Sequence, residues 1–165
     1  MDVFLVRHAI AHERSRSRWP NDALRPLTPA GERRFRKAAR GLARCLPRSA
    51  LLLTSPFVRA RQTAAILAAA LGRRAQPIEC VELAPGKPVG AVFELLRKHR
   101  APAVVLVGHE PNMGKLLGAA LLERGRMRVA FKKGGAACVS FEGIPGPGRA
   151  MLGWLMPPRV LRSLG

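Results

Sequence analysis

The sequence predicts a three-layer α/β/α sandwich around a mainly parallel central sheet of about six strands. Three observations predict it. Short β-branched or leucine-rich runs alternate with longer stretches of helical periodicity. The connections between them are short, and the run Ala103–Val107 is apolar at every position, as a strand covered on both faces must be.

Element by element, Val3–Val6 reads as a buried strand and is followed by a polar, arginine-spiked segment from His12 to Arg25. A helix opens after Leu27: Thr28 can cap it, Pro29 sits where a missing N–H costs nothing, and Glu32 lies near the positive end of the dipole. Phe35, Ala39, Leu42 and Leu46 fall on one side of that helix, and Arg33, Lys37, Arg40 and Arg44 on another. One face packs; the other is a basic stripe. Leu51–Thr54 is a second strand, and Ser55-Pro56 opens a second helix that runs to Leu71 and stops at Gly72. Ile78–Val81 is a third strand, Val89–His99 a third helix, Ala103–Val107 a fourth strand and Pro111–Leu122 a fourth helix. Gly134–Phe141 and Met151–Leu155 complete the sheet, separated by the turn-rich segment Gly143–Gly148.

The 165 residues fit one domain, 1–165, and 48% hydrophobic content supplies a sizeable core, which excludes a wholly disordered basic tail. The longest apolar run, Ala64–Leu71, is far short of a membrane span. Arg7 follows too soon after Met1 for a signal peptide, so a cytoplasmic location without membrane contact is expected. Cys45, Cys80 and Cys138 lack the close pairing of zinc ligands and read as reduced, mostly buried thiols. The formal charge is +19, from 29 basic and 10 acidic residues. Of the basic residues 23 are Arg, in a chain rich in Ala, Gly and Pro and free of Tyr, so coding composition accounts for much of the excess. Such a surface nevertheless attracts anions.

Ligands of a parallel sheet gather at the carboxyl ends of its strands. Here the first strand ends in Arg7-His8-Ala9, the second in Thr54-Ser55-Pro56 with Arg59 one turn further on, and the fourth in Gly108-His109-Glu110. Two His and two Arg thus converge on one sheet edge. Guanidinium groups contact two phosphoryl oxygens at once in fixed geometry. A neutral imidazole offers a nucleophilic lone pair near neutral pH and forms a labile N–P bond. The combination suits phosphoryl transfer; it needs neither metal nor cofactor, and the sequence has no carboxylate cluster that would bind Mg²⁺.

Arg7-His8-Ala9 resembles the Arg-His-Gly signature of the histidine phosphatase, or phosphoglycerate mutase-like, superfamily. Arg25-Pro26-Leu27-Thr28-Pro29-Ala30-Gly31, Ser55 through Thr63, Glu82-Leu83-Ala84-Pro85 and Gly108-His109-Glu110-Pro111 follow in the family's order. The chain's shortness, its compact segment between Arg7 and Leu27 and its terminal Trp154-Leu155-Met156-Pro157 are similar to the SixA-type phosphohistidine phosphatases. The resemblance implies a phosphoglycerate mutase-like fold, with His8 as the nucleophile that becomes phosphorylated. It further implies that Arg7 and Arg59 bind phosphoryl oxygens, that His109 donates to the transferring group, and that Glu82 is the proton donor to the leaving group. Arg25 and Ser55 fall at the pocket's edge as substrate-binding candidates; a loop anchor and a helix cap are their structural alternatives. Ala9 departs from the family's Gly, which matters if the backbone there needs positive φ. His12 reads as a rim residue and His99 as a helix-end residue.

The activity implied is hydrolysis of phosphohistidine or a small phosphomonoester, with a phosphorylated substrate, such as a phosphohistidine-bearing protein domain, as partner. Sugar-phosphate or nucleotide phosphatases and mutases of the same fold are alternatives, although such relatives are usually longer, with insertions over the site. A non-catalytic basic nucleic-acid-binding module is the alternative from another class. No aromatic residues interleave with the basic stripe to stack bases, so contact with nucleic acid reduces to non-specific charge. The sequence leaves the oligomeric state open.

Overall fold

A computed structural model describes residues 1–72, 77–123, 127 and 129–165. The elements in chain order are β1 (Asp2–Arg7), α1 (Pro29–Ala43), β2 (Leu51–Thr54), α2 (Val58–Ala70), β3 (Ile78–Glu79), α3 (Val89–Arg97), β4 (Ala103–Gly108), α4 (Asn112–Leu121), β5 (Ala136–Phe141), β6 (Ala150–Met156) and α5 (Pro158–Ser163). One-turn 3-10 segments at Asp22–Leu24 and Val81–Leu83 interrupt the loops.

The sheet order is β3-β2-β4-β1-β5-β6. β1, β2, β3 and β4 run parallel, β5 is antiparallel to β1, and β6 is antiparallel to β5. Alternation along β4 builds the three layers. Val105 and Val107 join Phe4, Val6, Phe35, Leu42, Leu67 and Leu161 beneath α1, α2 and α5. Val104 and Leu106 join Val3, Leu5, Phe93, Leu96 and Leu117 beneath α3 and α4. Both faces are covered, so the central strands β1 and β4 are apolar between their ends.

Thr28 caps α1 as expected, its hydroxyl accepting from Gly31 N–H at 2.9 Å. Phe35, Ala39, Leu42 and Leu46 are buried, while Arg33, Lys37, Arg40 and Arg44 are exposed. Two glycines on this helix permit close approaches: a methyl at Gly31 would collide with the carbonyl oxygen of Ile10, and one at Gly41 with that of Leu161. The first lets the chain just past β1 lie against α1; the second seats α5.

Several element bounds differ from expectation; the third helix, for one, ends at Arg97 rather than His99. The second helix begins at Val58, because Ser55 still extends the β2 ladder through N–H donation to Val107 at 2.9 Å. The third strand keeps only Ile78 and Glu79 before the chain turns into the 3-10 segment. The structure adds a terminal helix, α5, which six residues are too few to reveal by periodicity.

Candidate active site

Register brings the strand ends together. Arg7 pairs with Gly108 and Thr54 with Val107, so the next residues, His8, Ser55 and His109, stand side by side at one edge. His8 N–H donates to Gly108 at 2.9 Å, holding the two histidine-bearing ends in line. Their ring centroids lie 5.0 Å apart.

His8 is buried, and its Nδ1 lies 2.7 Å from the carbonyl oxygen of Ala9. A carbonyl can only accept, so Nδ1 carries the proton and the lone pair sits on Nε2. Burial, aided by the positive charges of Arg59, Arg7 and Arg25 and opposed by that hydrogen bond, lowers its pKa to about 3. The ring is neutral at physiological pH. Ala9 needs no positive φ; its methyl is buried, and its N–H donates to Thr63 Oγ1 at 3.0 Å. Thr63 in turn donates to the Arg59 carbonyl at 2.6 Å, tying the loop after β1 to α2.

Arg59 is 3% exposed. Its Nη1 and Nη2 donate to the Asp22 carbonyl and Oδ2 at 2.8 and 3.0 Å, and its guanidinium stands 4.9 Å from the Phe57 ring centroid. Arg7 is half-buried and donates through Nη1 to the Phe131 carbonyl at 2.5 Å. Glu110, whose charge favours ionised Arg7, accepts the Phe131 N–H at 3.0 Å, so the pair grips one residue by both backbone groups.

Among the described residues, four buried side-chain nitrogens lack a hydrogen-bond partner: Arg7 Nε, Arg59 Nε, His109 Nδ1 and Trp19 Nε1. Three belong to this constellation. Unpaired buried donors are costly, and an oxyanion acceptor is what two guanidinium groups would take. Burial, then the charges of His8 and Arg59, lowers the His109 pKa to about 2 despite Asp22, so this ring is neutral too.

The other candidates take different places. Arg25 donates to Asp22 Oδ1 at 2.8 Å and to the His12 carbonyl at 2.6 Å, anchoring the arginine-rich loop while its charge reaches both histidines. Ser55 is fully buried, and its Oγ lies 2.8 Å from His109 Nε2. Glu82 is half-buried on the 3-10 segment beside β4, where Leu83 lies behind Gly108 and Asn112 of α4 donates to the Lys87 carbonyl at 3.0 Å. His12 packs at a tilt against Trp19, with ring centroids 5.9 Å apart. Sequence reasoning missed Asp22; the signal available was a lone carboxylate between Glu13 and Glu32 in an arginine-rich stretch.

A cavity of about 470 Å³ opens beside Arg7, lined by Glu110, Pro111, Lys115, Val129 and Phe131. Among the described residues, no three His, Cys, Asp or Glu side chains gather to hold a metal ion, and no helix is long and apolar enough to cross a membrane. Burial raises the thiols of Cys80 and Cys138 to about 11, far from a reactive thiolate.

Residues 3–84 match the family model of the histidine phosphatase superfamily (branch 1). An uncharacterized protein of Picosynechococcus sp. (strain ATCC 27264 / PCC 7002 / PR-6) is 37% identical over 139 residues, 82% of either chain. The protein histidine phosphatase SixA complexed with tungstate superposes with a TM-score of 0.80 at 28% identity, covering 98% of this chain and 99% of that one. A protein assigned as phosphohistidine phosphatase SixA from Agrobacterium tumefaciens gives 0.73 at 25%, covering 95% and 97%. A phosphoserine phosphatase mutant of Entamoeba histolytica shares the fold, with a TM-score of 0.68 at 14% identity over 96% of this chain and 98% of that one.

Proposed function

Because the chain belongs to the histidine phosphatase superfamily, we propose that it is a SixA-type phosphohistidine phosphatase acting through a covalent intermediate on His8. The observation that carries this reading is the buried, neutral His8 ring, whose Nδ1 is committed to the Ala9 carbonyl and whose Nε2 lone pair is therefore free to attack. The tungstate held by the SixA relative is an oxyanion of phosphate-like shape, which supports a phosphoryl site in the same fold.

In the first step the His8 Nε2 lone pair attacks phosphorus, a new N–P bond forms, and the bond to the leaving imidazole of the substrate breaks. Arg7 and Arg59 hold the non-bridging oxygens, and His109 donates to the transferring group. Glu82 protonates the leaving group. A water then attacks phosphorus and gives a proton to the Glu82 carboxylate left by the first step, the His8 N–P bond breaks with its electron pair returning to Nε2, and inorganic phosphate leaves. The cavity beside Arg7 offers room for the group that bears the phosphate. The compact segment between Arg7 and Leu27, with little room for a large lid, suits a phosphorylated side chain on a protein surface, and an excess of 19 positive charges draws an acidic partner toward the site at low salt.

Side-by-side turnover of phosphohistidine peptides, sugar phosphates and nucleotides tests the proposal, with His8→Asn as the blank. Phosphohistidine is expected to turn over best, and His8→Asn to lose activity by roughly three orders of magnitude or more, as when a covalent nucleophile is removed. Retention of full activity by His8→Asn rejects the mechanism; a clear preference for sugar phosphates or nucleotides rejects the substrate.

A further inference from the structure

Ser55 closes β2 with no exposed surface. Two groups among the described residues meet its Oγ: the Phe57 N–H, which donates to it at 3.3 Å, and His109 Nε2 at 2.8 Å. A hydroxyl has one proton to give, and the Phe57 amide cannot receive it. Were Nε2 protonated, it would donate to Oγ, and the Ser55 proton would be left buried without an acceptor. Were Nε2 bare, the Ser55 proton would be used and every neighbour of Oγ satisfied.

The second arrangement avoids an unpaired buried donor. A neutral imidazole has a single N–H, so a bare Nε2 puts the proton on Nδ1, the ring atom that has no partner among the described residues. The ring carrying it stands 5.0 Å, centroid to centroid, from the His8 ring. The opposite tautomer would present a lone pair to the phosphoryl oxygens and repel them.

We propose that Ser55 is a positioning residue that holds His109 as its Nδ1–H tautomer, making His109 a hydrogen-bond donor for the group transferred to His8. The donor half of this statement rests on the phosphatase reading; the tautomer half does not. Ser55 acts through His109, without contact to the substrate, and the Phe57 amide fixes its rotamer.

The test reads the ring directly. In the full-length ¹⁵N-labelled protein at neutral pH, long-range ¹H–¹⁵N correlations separate protonated from bare ring nitrogens, and His109→Gln identifies the His109 signals among the four histidines. The expected result is Nδ1 protonated and Nε2 bare. A wild-type ring protonated at Nε2 overturns the proposal whatever the activity. A wild-type Nδ1–H ring in a protein that turns over no phosphate ester or phosphohistidine supports the tautomer assignment and counts against the functional reading instead.

In Ser55→Ala the ring is expected to exchange between tautomers, with kcat reduced about ten- to a hundredfold, as for other losses of a hydrogen bond that orients a site histidine, and KM little changed. Ser55→Cys, which keeps a weak donor, is expected to recover part of kcat. An Nδ1–H ring and full kcat in Ser55→Ala would remove Ser55 from the role. If Ser55→Ala does not fold, the wild-type tautomer decides.

Discussion

Asp22 and Arg59, 37 residues apart, meet twice: the Asp22 carbonyl accepts from Nη1 at 2.8 Å and its carboxylate from Nη2 at 3.0 Å. The same carboxylate takes Arg25 Nε at 2.8 Å. The loop after β1 is therefore fastened to α2 through the very guanidinium proposed to bind the phosphoryl group. Burial would raise the Asp22 pKa, but hydrogen bonds from Arg25 and Arg14 and the charges of Arg59 and Arg25 hold it at about 2.

Asp22→Asn keeps the size of the side chain and removes its charge, so Arg59 stays buried with only a neutral partner. A hydrogen bond to a charged group contributes about 1.5–3 kcal/mol, and its loss is expected to lower kcat/KM by about ten- to a hundredfold. Steady-state kinetics on a phosphohistidine peptide checks this; an unchanged kcat/KM would show that Arg59 keeps its place without Asp22.

The contrast between Asp22 and Arg59 also marks what a sequence can disclose. That Arg7, His8, Arg59 and His109 approach one sheet edge was legible because Arg7, His8 and His109 lie at or just past strand ends and Arg59 at the start of the helix after β2, and because Val3–Val6 of β1 and all of β4 are apolar. Parallel pairing of legible strands then sets their ends side by side without further information. Asp22 opens a one-turn 3-10 segment too short to show periodicity, and its importance lies in partners brought up by tertiary folding. Ser55 looked like a helix cap since capping and strand-end roles use the same residue types; only the ladder bond to Val107 distinguishes them. Pro158 occupies the first turn of α5, where its missing N–H is harmless, but six residues carry too little periodicity to mark a helix.

Acid should destabilise the fold early. The folded pKa values of His8 and His109 are lowered to about 3 and about 2, whereas the unfolded chain titrates both near 6.5. Below about pH 6.5 the unfolded state binds protons that the native state refuses, so stability falls as pH drops toward 3, by up to about 2.7 kcal/mol per pH unit if both sites act. Asp22, lowered from 3.8, contributes in the same direction, its share present above 3.8 and lost as pH falls toward about 2. Urea unfolding at pH 7, 6, 5 and 4 measures the slope, which His8→Asn is expected to reduce by about half. A wild-type protein equally stable at pH 7 and pH 5 would contradict native rings that resist protonation.

Glu82 is expected to matter in proportion to the leaving group. A phosphohistidine releases an imidazole, which leaves readily, while an alkyl phosphate releases an alkoxide that needs a proton in the transition state. Glu82→Gln should therefore cost about a hundredfold or more in kcat on an alkyl phosphate and only a few-fold on a phosphohistidine peptide. Equal losses on both substrates would mean that Glu82 does something other than donate that proton.

Gly41 separates stability from catalysis. It lies on the α1 face that receives α5, where a methyl would strike the Leu161 carbonyl, and Leu161 is fully buried in the layer shared with Phe4, Val6 and Leu42. Alanine at this position favours the helix locally by about 1 kcal/mol, yet it displaces backbone that cannot yield as a flexible side chain would. The collision should win, with Gly41→Ala losing about 2–4 kcal/mol in urea unfolding. Among the described residues, the side-chain hydrogen bonds of His8, Arg59, Ser55 and His109 do not reach α5. The variant, assayed well below its melting temperature, should keep kcat within about twofold, since surface and packing changes remote from a site act mainly on stability. A large loss of kcat in a folded Gly41→Ala would instead show that α5 supports the histidine pair through the sheet.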